Sequence, residues 1–161
     1  HHRYLHCFPT RRSSDLMNSK YTVINIDEVN SIIADSRYDT FNFRNVSSLE
    51  ANTKYTQIKI DELKQNLKLD AGYGGIKIGK INTEFKFVAV TSSYGQVSLG
   101  LGNANYLLDA NCDYCGVTYP ESRFAGDRIS ENHSRILRGK LGNGAGGSVY
   151  IKSRYGEIKL N

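Results

Sequence analysis

Tyr155-Gly156-Glu157-Ile158-Lys159-Leu160 is the last and clearest copy of a phrase that recurs along the chain. A tyrosine followed by apolar residues three and five positions later also occurs at Tyr21, Tyr38, Tyr55, Tyr73, Tyr94 and Tyr114, so seven of the eleven tyrosines share one local pattern. Laid over one another, the copies read YTVINI, YDTFNF, YTQIKI, YGGIKI, YGQVSL, YCGVTY and YGEIKL. Successive tyrosines lie 17, 17, 18, 21, 20 and 41 residues apart, the last close to two periods. A steady period of this size is the signature of stacked repeats, in which each unit buries its apolar face only against its neighbours.

The residues before each tyrosine repeat as well. Six and four positions upstream stand Ile32 and Ala34, Leu49 and Ala51, Leu67 and Leu69, Val88 and Val90, Leu108 and Ala110, Val149 and Ile151. Two positions upstream the side chain is small: Ser19, Ser36, Thr53, Ala71, Ser92, Cys112 and Ser153. This period-two alternation marks short strands with one buried face. The parity of the buried positions changes just after the tyrosine, where Thr22, Asp39, Thr56, Gly74, Gly95 or Gly156 stands, so a bend is expected at that residue. Strand, bend, strand and corner in 17 to 21 residues predict an all-β, single-domain parallel β-solenoid (β-helix). Parallel crossovers are overwhelmingly right-handed, which sets the expected hand. The leucine consensus, asparagine ladder and helical return of a leucine-rich repeat are absent.

Residues 1–16, HHRYLHCFPTRRSSDL, lack the phrase and hold three of the four histidines and one of the two prolines. They resemble a translated sequencing-adapter fragment joined to a truncated coding sequence. They are expected to be a non-native leader, with the true N-terminus, earlier repeats and any export signal lost. No apolar core follows the basic residues, so the segment does not read as a signal peptide. Setting aside Arg3, Arg11, Arg12 and Asp15 lowers the net charge from +5 to +3. So mild an excess, spread along the chain, is no nucleic-acid footprint. No apolar run reaches the length of a membrane-spanning helix.

Residues 17–161 form the expected repeat domain, interrupted at 120–148 by PESRFAGDRISENHSRILRGKLGNGAGG. Such an irregular excursion is where a repeat protein places function; equally, Phe124, Ile129, Ile136, Leu137 and Leu141 suffice to anchor a hairpin or long loop on the edge. A second feature is charge. The residue before the tyrosine is basic in four copies, Lys20, Arg37, Lys54 and Arg154, and Lys59, Lys77 and Lys159 alternate inside the second strand. A basic column could bind an acidic polysaccharide, whereas a solvated strand face uses lysines merely to discourage edge pairing.

Catalytic motifs are thin. Cys112-Asp113-Tyr114-Cys115 has the C-x-x-C spacing of redox and metal sites. However, Cys112 occupies a position that is Ser, Thr or Ala elsewhere, and Cys115 one that is Gly, Thr or Asp. Structural cysteines, or a local Cys112–Cys115 disulfide in an oxidising compartment, fit better than a metal or a catalytic pair. His133 is the one histidine beyond the leader, too little for a nucleophile–histidine–acid set. Glu121, Asp127 and Glu131 share one loop instead of stacking on successive units, which disfavours glycoside hydrolysis. GNGAGG lacks the Gly-Lys-Ser/Thr ending of a phosphate loop. No catalytic residue, metal ligand or cofactor is assigned.

The Ser-x-Tyr-Gly-x-Ile/Val-x-Leu phrase, in SSYGQVSL and SRYGEIKL after GKLGNGAGG, resembles the bacterial adhesin β-solenoids, a domain-of-unknown-function group common in Bacteroidetes envelope proteins. The likeness covers residues 17–161. It implies an exported, non-enzymatic cell-envelope module, periplasmic or at the surface, with adhesin-like binding or a structural role. Surface polysaccharide or an envelope protein would then be the partner. The alternative is a polysaccharide-processing β-solenoid enzyme.

Overall fold

The computed structural model describes residues 3–7, 15–102, 104–144 and 146–160. They form fourteen strands: β1 (Arg3–Cys7), β2 (Asp15–Lys20), β3 (Thr22–Arg37), β4 (Thr40–Lys54), β5 (Gln57–Tyr73), β6 (Ile76–Ile81), β7 (Phe87–Tyr94), β8 (Gln96–Leu99), β9 (Tyr106–Asp113), β10 (Gly116–Thr118), β11 (Phe124–Glu131), β12 (Ser134–Leu141), β13 (Ser148–Arg154) and β14 (Glu157–Leu160). A single 3-10 turn, Glu121–Arg123, is the helical element among the described residues. The chain is all-β, as the alternation requires. All strands join one sheet that curls into a half-barrel. The sheet is mixed: β9, β12 and β11 pair antiparallel, and the other pairings are parallel.

Register follows the phrase. Ile24, Phe41, Ile58, Ile76, Val97 and Ile158 lie opposite one another through β3, β4, β5, β6, β8 and β14, and Ile26, Phe43, Ile60, Ile78, Leu99 and Leu160 form the next column. Upstream of the tyrosines, Leu49, Leu67, Val88, Val149 and Leu108 align, as do Ala51, Leu69, Val90, Ile151 and Ala110. All of these are buried, so each column is a continuous strip of the core. A one-residue slip would turn every column to solvent, and burial therefore fixes the register. The change of spacing from 17 to 18 is absorbed by a shift between Val46 and Ser48 where β4 meets β5. That irregularity leaves the flanking columns aligned.

The bend differs from the expected one. Tyr21, Tyr38, Tyr55, Tyr114 and Tyr155 themselves adopt φ between 54° and 57°, so the tyrosine and not its successor turns the chain. Only at Tyr73 does the following residue, Gly74, take the positive φ, at 145°. The successor is constrained by space instead. A Cβ on Gly74, Gly95 or Gly156 would come within about 2 Å of the carbonyl oxygen of Thr56, Gly74 or Gly95 respectively. In the early copies Asp39 and Thr56 fill this position and are buried. Ser36 Oγ donates to Asp39 Oδ2 at 2.5 Å and lies 3.2 Å from Thr56 Oγ1, which donates to the Lys54 carbonyl at 3.0 Å. Hydrogen bonds among side chains thus close the bend where glycine does not.

Sequence order is broken once. The final copy does not stack beyond its predecessor: β13 inserts between β7 and β9, and β14 between β8 and β10. Tyr155 N–H donates to the Asp113 carbonyl at 3.0 Å, locking this order at the bend. The 41-residue gap is therefore an excursion out and back, not a replaced layer. Within the excursion β11 and β12 form a hairpin that pairs antiparallel with β9 and covers one end of the stack. Phe124, Leu137 and Leu141 anchor it by burial, Ile136 is half-buried and Ile129 is exposed. The opposite end receives the described parts of the expected leader: Arg3–Cys7 pairs with Thr22–Ile26, and Asp15–Lys20 with Ile32–Arg37. An extended backbone can pair with an open strand edge without sharing the side-chain pattern. The rest of the leader lies outside the described residues.

The close approach at the bend gives a test by substitution. Gly95→Ala drives a Cβ to 1.8 Å from the Gly74 oxygen, whereas Gly116→Ala meets nothing within 4 Å. Urea unfolding should show a loss of more than about 3 kcal/mol for the first and a change within about 0.5 kcal/mol for the second.

Candidate binding surface

The bend brings the seven tyrosines into one ladder. Ring centroids are separated by 5.0 Å for Tyr21–Tyr38, 4.8 Å for Tyr38–Tyr55, Tyr55–Tyr73 and Tyr73–Tyr94, and 5.1 Å for Tyr94–Tyr155 and Tyr155–Tyr114. Interplanar angles stay at or below 11°. This is the spacing of neighbouring strands. His133, in the two-residue turn of the β11–β12 hairpin, stacks on Tyr114 at 4.7 Å and accepts the Tyr114 N–H at its carbonyl, 2.8 Å away. At the other end Lys20 Nζ lies 5.3 Å from the centroid of Tyr21. Ring faces are thus spent on one another, and the exposed part of the ladder is a row of ring edges and hydroxyls. The stacking role of His133 has no signal in the sequence, because it depends on where the hairpin folds back.

The basic residues fall beside the ladder, but not as one column. Lys20, Arg37 and Lys54 are consecutive neighbours in β2, β3 and β4. The next layers carry Gly72 and Ser93 at that position, and Arg154 stands opposite Asp113. Lys59 and Lys77 pair across β5 and β6, and Ser98 separates them from Lys159. Positive charge is therefore confined to short clusters. The carboxylates of the excursion do not gather either: Asp127 lies opposite Arg138 on the hairpin, Glu131 closes its tip and Glu121 sits in the 3-10 turn. Among the described residues no group of three or more His, Cys, Asp or Glu is placed to hold a metal ion.

Cys112 and Cys115 occupy facing sides of the bend, with Cα atoms 5.6 Å apart and sulfurs in bonding contact. That separation lies within the disulfide range. The same two positions carry the Ser36–Asp39 hydrogen bond in an earlier copy, so the cysteines cross-link what a polar pair holds elsewhere.

Polar anchoring at the corner near the hairpin centres on Arg123. Its guanidinium donates to the carbonyls of Gly102 and Ala104, each at 3.2 Å, and to Asn105 Oδ1 at 3.4 Å. Beside it Tyr106 is buried, and that burial raises its hydroxyl pKa to about 12 against the opposing charge of Arg123. The arrangement ties the corner before β9 to the start of the excursion.

A groove of about 720 Å³ runs across the strands on the outer face upstream of the tyrosines. Its polar side is a column of Asp35, Asn52, Asp70 and Thr91, one residue per layer in register through β3, β4, β5 and β7. The parallel column is Ile33, Glu50, Lys68, Ala89 and Tyr150. Ala34, Ala51 and Leu69, between the two columns, turn their side chains into the core and present only backbone to the groove. Tyr150 is 46% exposed and does not belong to the ladder, so its ring faces are not consumed by other tyrosines. Lys68 reaches Glu50 at 3.9 Å, while Asp35 and Asp70 pair with no cation among the described residues. The sequence alternation places these side chains outward, but nothing in it marks a depression.

The ladder and the cysteine pair each yield an expectation. Tyr55→Ala removes two stacks of about 0.5–1.5 kcal/mol each and leaves alanine in a left-handed conformation, so unfolding should cost about 1–3 kcal/mol less. Tyr55→Phe, which keeps the ring, should be close to neutral. Alkylation of the unfolded, unreduced chain should label Cys7 but not Cys112 or Cys115, and prior reduction should add two labels by intact mass. No family model, no curated protein and no solved structure matches the chain; no helix among the described residues is long and apolar enough to cross a membrane.

Proposed function

We propose that this chain is a non-enzymatic, adhesin-like module of the bacterial cell envelope, built as a parallel β-solenoid whose outer faces bind surface polymer. The supporting observation for the architecture is the tyrosine ladder, in which seven copies of one phrase meet ring on ring at the surface while their apolar residues share a single core. Export is supported by the likeness of the Ser-x-Tyr-Gly phrase to envelope proteins and by the Cys112–Cys115 contact, since disulfides persist in oxidising compartments. Binding is supported by the groove, a long, shallow, mixed-polarity surface of the kind that suits an extended polymer better than a small molecule.

A polysaccharide-processing enzyme is the second reading, and one feature favours it. Asp35 and Asp70 stand two layers apart, about 10 Å between backbones, near the carboxylate separation of inverting glycosidases. Against it, both carboxylates are exposed, without the apolar surround that a glycosidase general acid requires.

Mixing the protein with purified envelope polysaccharides, and following both retention on the polymer and release of new reducing ends, separates the readings. Retention without new reducing ends is the expected outcome. Reducing ends that accumulate with the wild type and vanish with Asp35→Asn or Asp70→Asn would establish the enzyme and overturn the binding module.

A further inference from the structure

We infer that the outer groove lined by Asp35, Asn52, Asp70, Thr91 and Tyr150 is the ligand site, and that its ligand is an uncharged glycan chain lying across the strands. This inference rests on the reading of the chain as a polymer-binding module and names the site and chemical class.

Charge argues against a polyanion, and Lys68 interrupts the row of carboxylates that a polycation would need. A polyanion laid along the groove would meet Asp35, Glu50 and Asp70, while the lone cation of the lining, Lys68, is already shared with Glu50 at 3.9 Å. A polycation such as a basic peptide would meet Lys68 midway and find its carboxylates separated by the neutral Asn52. Lys152, opposite Thr91, borders the same end. Like-charge contacts of this kind count against a partner as much as attractive ones count for it.

What remains suits hydroxyl groups. Asp35 and Asp70 accept, Asn52 donates and accepts, and Thr91 does both, and they recur at the strand spacing of about 4.8 Å along the groove. A few placed polar groups beside outward apolar side chains, here Ile33 and Ala89, fix the orientation of a ligand that is itself amphipathic. Tyr150 supplies the remaining component. Its ring stands beside Ala89, with no bulky side chain in that neighbour to cover it, and can pack on the C–H face of a sugar ring. The ladder tyrosines cannot serve in this way, because their faces are stacked on one another.

Affinity electrophoresis and calorimetry of the full chain test this with three probe sets: neutral gluco-, manno- and xylo-oligosaccharides, the polyanions polygalacturonate and heparin, and polylysine. Binding to at least one neutral oligosaccharide is expected. Tyr150→Ala and Asp70→Ala should each weaken it about tenfold, the equivalent of about 1.4 kcal/mol, with circular dichroism unchanged. A triple Lys20→Ala, Arg37→Ala, Lys54→Ala variant should bind as the wild type does. Neutral-glycan binding that survives the Tyr150→Ala, Asp70→Ala double variant overturns the groove as the site. Binding of a polyanion alone, abolished in the triple variant, overturns the groove and the ligand class but leaves a polymer-binding module. Binding of polylysine alone overturns the ligand class in favour of a basic peptide. No binding to any probe, together with no retention on isolated envelopes, overturns both this inference and the module itself.

Discussion

The stacking of one tyrosine ring on the next sets the geometry that the remaining contacts follow. Each ring sits where the chain turns, and five of the seven tyrosines adopt a left-handed backbone that costs a non-glycine residue roughly 1–2 kcal/mol. A favourable stack on each side offsets a cost of that size, but only when neighbouring layers turn at the same height. Ring stacking, turn and register therefore depend on one another. The buried columns then run straight through the sheet, from Ile24 and Phe41 to Ile158, because the bend has already fixed which face each residue takes.

Close packing inside the bend explains the choice of residues there. Two positions face each other across it, three residues apart, and must be small or mutually bonded. Ser36 and Asp39 share a hydrogen bond, Cys112 and Cys115 are in bonding contact, and Ser153 faces Gly156. Different chemistries satisfy one spatial requirement, and this gives the C-x-x-C spacing a structural reason to appear here.

The strands, their inward faces and the tyrosine ladder were legible from the sequence because period-two alternation and a fixed spacing carry that information locally. The bend expected one residue after the tyrosine falls there at Gly74 and Gly95, whereas in five copies the tyrosine itself takes the positive φ; Gly95 and Gly156 are needed for the carbonyl that approaches them. The order of layers was not legible. Spacing along the chain says that Tyr155 belongs to the ladder, but only tertiary pairing places it between Tyr94 and Tyr114. For the same reason His133 gave no hint that it would stack on Tyr114, and the groove emerged only once outward residues of five strands lay side by side. The four basic residues shared a position in the phrase, yet the inserted final copy and the intervening Gly72 and Ser93 leave Arg154 apart from the other three.

Insertion of the last strands makes the fold unlike a simple coil wound from one end to the other. Docking of β9 and β10 onto the stack requires β13 and β14, so the contacts that complete the core are made by the last strands of the chain. Disulfide trapping tests this order most directly. Glu157 lies opposite both Gln96 on β8 and Gly116 on β10, which places those two residues on either side of it and out of each other's reach. A Gln96→Cys, Glu157→Cys pair should cross-link rapidly within the monomer under mild oxidation, and a Gln96→Cys, Gly116→Cys pair should not. Rapid cross-linking between positions 96 and 116, with none between 96 and 157, would contradict the inserted arrangement.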